Sequence, residues 1–184
     1  IVLTCRLPYL AQGNSVKMLR YTTSGLMIAI AEITRTYTAE MALTILLGRI
    51  YVGTATIDEG NDFLSTHTIN WEMFHRIITT HKIIPVAQKI LPSLSGIPLE
   101  YKNQLRNSYL FIAHNNLQKV EEIARLQNKL KANGVKILPY KGVMVSQYLC
   151  GDAISRQSSD IDLLINVEDF EKAKDLLVRD GYVP

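Results

Sequence analysis

The apolar pattern of this 184-residue chain changes period at Asn133-Gly134, and that change limits the fold more than any single motif does. Before it, apolar residues recur every three or four positions, as on one face of a helix; after it, they come in short runs with a β-branched bias. Such an order is expected to give an α+β fold, with a helical region over residues 1–132 packed on a smaller segment, 133–184, in which strands and helices alternate.

Within the helical region, residues 1–14, with Pro8 and Gln12-Gly13-Asn14, show no sustained period. From residue 15 to about 51 the spacing of Ala39, Met41, Ala42, Ile45, Leu46 and Ile50 predicts two helices, broken near Thr36-Tyr37-Thr38. Residues 53–65 are polar and contain Asp58-Glu59-Gly60-Asn61-Asp62, so they read as a connection with room for a short turn of helix. Asn70 is placed to cap a helix carrying Trp71, Phe74, Ile77, Ile78 and Ile84 on one face. Pro85 falls just inside the next helical turn, and the pattern continues through Val86, Ile90 and Leu91 to a breaker cluster over residues 92–98. The longest helix is expected from about Leu99 to Ala132, with Leu105, Tyr109, Ile112, Leu117, Val120, Ile123, Leu126 and Leu130 forming its stripe. Glu121 and Arg125 stand i, i+4 on its solvated side, and Asn133-Gly134 ends it.

Beyond that point the expected order is a strand over 135–139, a helix over 142–149, a second strand over 160–166 and a helix over 167–179 closed by Gly181. Tyr182-Val183-Pro184 is read as the entry to a third strand. The chain opens at Ile1 without methionine and stops just after a helix-ending glycine, so both ends read as the edges of a fragment.

A net charge of +3, with Lys and Arg spread among Glu and Asp, shows no basic stripe, so nucleic acid is possible as a partner but unsupported. Cys5 and Cys150 have neither metal-ligand nor redox spacing, which points to free thiols in a reducing, cytoplasmic setting. The apolar run Leu26-Met27-Ile28-Ala29-Ile30-Ala31 is cut by Glu32 and Arg35, far short of the roughly 20 residues of a membrane span. It reads as a buried helix, and no membrane partner is expected.

Chemistry concentrates in Arg156-Gln157-Ser158-Ser159-Asp160-Ile161-Asp162. Carboxylates at i and i+2 at the start of a strand share one face. Held that close they repel, unless a divalent cation or a basic partner sits between them. The apolar residues Leu163, Leu164 and Ile165 follow the pair, whereas phosphatases and sugar transferases that use Asp-x-Asp place it at the carboxyl end of a strand. Upstream, Pro139-Tyr140-Lys141-Gly142 joins strand to helix, where a glycine lets the backbone approach a phosphate. Arg156 reads equally as a phosphate ligand or as a structural partner of the two aspartates, and Ser158 and Ser159 as turn residues. His67, His75, His81 and His114 share no ligand spacing. Trp71, Phe74, Tyr109 and Phe111 read as core anchors in preference to a base-stacking platform.

The combination of Ile137-Leu138-Pro139-Tyr140-Lys141-Gly142, Tyr148, Gly151-Asp152, Arg156, Asp160-Ile161-Asp162-Leu163-Leu164 and Asp180-Gly181-Tyr182 resembles the uncharacterised nucleotidyltransferase family of the DNA polymerase β-like superfamily. The similarity extends back through Trp71, His81 and Pro85 to about residue 40. The resemblance implies a small α/β nucleotidyltransferase-like layer and transfer of a nucleoside monophosphate from a nucleoside triphosphate, with pyrophosphate leaving. Asp160 and Asp162 map onto the catalytic pair that ligates Mg²⁺ or Mn²⁺. Gly142 maps onto the phosphate-loop glycine, with Val143 where many superfamily members carry serine. Lys141, Arg156 and Ser159 complete the nucleotide-binding set, and Arg156 has the better geometry for phosphate. A third carboxylate is implied on the next strand, past Tyr182 and outside the 184 residues. The acceptor is left open among protein, sugar, small molecule and nucleic-acid end. A catalytically inactive binding or regulatory module is the alternative, and a phosphohydrolase a third reading.

Overall fold

The computed structural model describes residues 30–182, so the expectations for Cys5, for residues 15–29 and for Val183-Pro184 lie outside the described residues. Those described form eight α-helices and one two-stranded antiparallel sheet, an α+β arrangement dominated by helix.

Helices α1 (Ile30–Thr36) and α2 (Ala39–Tyr51) break where expected, because Thr38 turns extended and its side chain accepts from the Met41 amide. Residues 53–65 depart from expectation: from residue 57 on they belong to a ten-residue helix, α3 (Ile57–Thr66). Its start is a capping box, with the Glu59 amide donating to Thr56 Oγ1 at 3.2 Å and the Thr56 amide to Glu59 Oε2 at 2.7 Å. Thr56-x-x-Glu59 was the signal that the polar composition masked. Asn70 caps α4 (Trp71–Thr80), and Pro85 sits in the first turn of α5 (Ile84–Ile90), where its missing N–H is harmless. A 3-10 turn, Leu91–Ser93, leads towards α6 (Leu99–Ala132).

At 34 residues α6 is about 51 Å long, and it is shared between three cores. Its first half, through Tyr101, Leu105 and Ile112, closes the main core with Leu43, Leu46, Leu47, Phe74, Ile78 and Leu91. Ile123 packs with Val143 and Ala153, and Leu130 with Val135 and Ala173. Leu117, assigned to the stripe from the sequence, is 57% exposed; Asn116 takes its place and is fully buried. Nor does Arg125 face Glu121: it pairs with Glu122 and with Asp180. The helix ends in a Schellman motif, the Val135 amide donating to the Leu130 carbonyl and Gly134 standing at φ +74°. Val135 thereby lands beside Leu130 in the same core.

β1 (Ile137–Pro139) and β2 (Leu163–Ile165) pair with Ile137 opposite Ile165 and Pro139 opposite Leu163. Both strands are shorter than expected. Ile137 and Ile165 turn towards Leu130, Val135 and Ala173, while Leu138 and Leu164 lie on the open face. α7 (Gly142–Cys150) joins the strands, and α8 (Phe170–Arg179) follows a 3-10 turn, Val167–Asp169. No described helix is long and apolar enough to cross a membrane.

Candidate active site

Just past the end of the sheet the Tyr140 amide donates to the Asp162 carbonyl, 2.8 Å. Past it the chain turns sharply. Lys141 has φ 73° and ψ −163°, a region almost confined to glycine, and Gly142 follows at φ +58°. These two residues swing the chain out of β1 and into α7, so nothing remains for Asp160 to pair with. Asp160 and Asp162 consequently precede β2 instead of lying within it, which corrects the expected strand over 160–166.

Gly142 is also where two segments meet. A Cβ there would stand 2.8 Å from Ser158 Oγ and 3.5 Å from the Asp160 carbonyl oxygen. The missing side chain leaves room for Ser158 Oγ where the amino end of α7 meets the acidic segment. Ser158 Oγ in turn donates to the Asp160 carbonyl at 3.1 Å, and Ser159 Oγ to Asp160 Oδ1 at 3.3 Å. The turn bonds expected of these serines are thus present.

The segment between α7 and β2 has little regular structure, yet it is held at many points. From α6, buried Asn116 donates through Nδ2 to the carbonyls of Ala153 (2.9 Å) and Arg156 (2.8 Å), and its Oδ1 accepts from the Ser158 amide (3.3 Å). Asp152 accepts from the amides of Ile154 and Ser155 and from Ser155 Oγ. From α5, Lys89 donates to Ser155 Oγ at 2.6 Å and lies 3.5 Å from Asp152. Burial pushes the Asp152 carboxyl up, but its hydrogen bonds to Ser155 and the two amides, with the charge of Lys89, outweigh this and hold it low. Ser146 of α7 closes the ring by donating to the Asp152 carbonyl at 2.9 Å.

Asp160 is exposed, Asp162 half-buried, and among the described residues neither joins an ion pair. Arg156 is exposed and likewise unpaired, so it does not serve as the structural partner of the two aspartates. Lys141 is exposed, with Nζ 5.2 Å from the centre of the Tyr140 ring. Val143 is buried against Ile123 and Ala153, which explains an apolar residue there: the side chain faces a core. Among the described residues no three His, Cys, Asp or Glu side chains cluster as metal ligands.

Residues 67–184 match the family described as uncharacterised nucleotidyltransferase. The chain belongs to this uncharacterised nucleotidyltransferase family. Its general activity is therefore nucleotidyl transfer, on a nucleotide substrate. The match begins at the carboxyl end of α3 and takes in every residue of the site just described. No curated protein and no solved structure matches the chain.

Sequence reasoning overlooked Asn116 and Lys89, which hold the segment over residues 152–158. Asn116 was detectable, because i, i+4 counting from Ile112 to Val120 passes through it, and an asparagine on an apolar stripe needs buried partners. Lys89 carries no such signal. Phe111 was misassigned: it is 68% exposed, whereas Tyr109 packs against the main core as expected. Asp180 and Tyr182, read as motif residues, anchor the end of α8. Asp180 pairs with Arg125 (2.5 Å) and with Lys129, and Tyr182 Oη donates to Glu122.

Proposed function

We propose that this chain transfers a nucleoside monophosphate from a nucleoside triphosphate to an acceptor hydroxyl or amine. The new bond joins the acceptor atom to the α-phosphorus, the α–β anhydride bond breaks, and pyrophosphate leaves with its electron pair while the acceptor releases a proton. The observation that carries this reading is the close approach of Gly142 to Ser158 and Asp160, which sets the amino end of α7 beside the paired aspartates. On this reading β1, α7, β2 and α8 are the nucleotidyltransferase-like layer, and residues 1–132 the helical region it packs on.

Each group has a role it is chemically suited to. Free amides at the start of α7 carry partial positive charge and suit phosphate oxygens. Arg156, exposed and unpaired, offers a planar fork to the triphosphate, with Lys141 and the Ser159 hydroxyl alongside. Asp160 and Asp162, free of protein cations, fit a divalent ion that takes few protein ligands and fills its shell with water and phosphate. Bound there, Mg²⁺ or Mn²⁺ neutralises phosphate charge and aligns the displacement. The exposed Cys150 thiol fits a reducing, cytoplasmic setting.

The test is titration with each nucleoside triphosphate in Mg²⁺ or Mn²⁺, following pyrophosphate and labelling of added acceptors. Asp160→Asn with Asp162→Asn should lower turnover about 100-fold or more, the scale lost with one charge-stabilising group. Equal binding and turnover in both proteins would sink the assignment. Release of orthophosphate would favour hydrolysis, and binding without any release a silent binding module.

A further inference from the structure

We propose that the groove between α4, the start of α5, α6 and Gln157 seats the base of the nucleotide. The substrate class rests on the transfer reaction proposed above, but the residues are different ones.

The groove encloses about 430 Å³, within the range of small-molecule sites. Its floor is Ile84 and Ile112, and its walls carry Asn107, Ser108, Thr79 and Gln157. No Lys, Arg, Asp or Glu lines it. The one titratable wall residue, His75, lies within 3.5 Å of Tyr101 Oη and 3.3 Å of Ser108 Oγ, and burial holds it below the ordinary imidazole range. A phosphate or carboxylate would find no counter-charge there. The groove suits an uncharged ligand with apolar faces and hydrogen-bonding edges.

Two further observations narrow that class. Phe111 lines the groove and is 68% exposed, a cost in apolar hydration that a stacked planar ring would remove. Gln157 Oε1 is buried without a donor, so its amide has hydrogen-bonding capacity that the fold does not use. An aromatic face beside two side-chain amides, Asn107 and Gln157, is how proteins hold a base and read its edge. Gln157 also stands three residues before Asp160, a span of at most about 11 Å of chain, which a ribose and its phosphates bridge.

The measurement is binding of adenosine, guanosine, cytidine and uridine, and of the matching triphosphates, by ligand-observed NMR and calorimetry. The proteins are wild type, Phe111→Ala and Gln157→Ala, with folding checked by circular dichroism. Phe111→Ala, at an exposed position, should weaken nucleosides and triphosphates alike by about 5- to 100-fold, as loss of a base-stacking ring does. Gln157→Ala should flatten the preference among bases, and inorganic triphosphate should bind all three proteins equally. If both variants bind every nucleoside as wild type does, or wild type binds none, the base seat is wrong. Should Asp160→Asn with Asp162→Asn still abolish pyrophosphate release in that case, the transfer reaction survives without it. Conversely, Phe111-dependent nucleoside binding with no pyrophosphate release under any condition would keep the seat and remove the reaction.

Discussion

Lys141 is the residue whose local energy and site location pull in opposite directions. Its φ of 73° with ψ −163° costs about 1–3 kcal/mol in a side-chain-bearing residue. Glycine would relieve that strain and give back about 0.5–1 kcal/mol through the entropy of the unfolded chain. Lys141→Gly should therefore raise unfolding free energy by about 1 kcal/mol in urea titrations while lowering triphosphate affinity. A variant less stable than wild type would show that the lysine side chain is itself a stabilising element. The sequence pointed to Lys141-Gly142 through the company it keeps, but not to the strain. A positive φ at lysine follows from the Tyr140–Asp162 bond just past the sheet and the immediate start of α7, which no local propensity encodes.

At the scale of elements, the site segment borrows its shape from α6. Asn116 satisfies two carbonyls and one amide of residues 153–158, and Ala there would remove that partner from all three, one in a buried and two in partly buried positions. Asn116→Ala should cost about 2–4 kcal/mol, and hydrogen exchange should speed up over residues 153–160 more than in α2 or α4. Uniform loss of protection would mean that Asn116 supports the whole fold and not this segment. The elements themselves were largely legible. α6 follows the expected bounds because a 34-residue stretch of helical spacing lies between Pro98 and Asn133-Gly134, each with its own stop chemistry. α3 was lost because acidic and small residues hid a capping box, and the strands were overrun because three-residue pairs depend on a partner distant in sequence. The acidic pair and the loop glycine were found, while the groups that fix the segment between them, Lys89 on α5 and Asn116 on α6, come from 26 to 73 residues upstream and leave almost no local trace.

For the molecule as a whole, the end of α8 is tied back to α6 by charge. Arg125, and then Lys129, draw the Asp180 carboxyl from an ordinary 3.8 to about 2. The folded value lies below the unfolded one, so this contribution to stability is complete above about pH 4, shrinks as pH falls through the interval, and is gone below about 2. Denaturation of wild type and Asp180→Asn should differ at about pH 5 and converge near pH 2, with the difference at pH 5 reduced by salt. A gap that persists at low pH would assign Asp180 a role other than its charge. The three cores along α6 have a practical consequence as well. A helix common to all of them couples their melting, so a molecule that grips the loop beside Asp160 only when it is folded shifts the midpoint of the entire transition. A thermal-shift screen would thus register an acceptor before its chemistry is known, which turns one long helix into an assay.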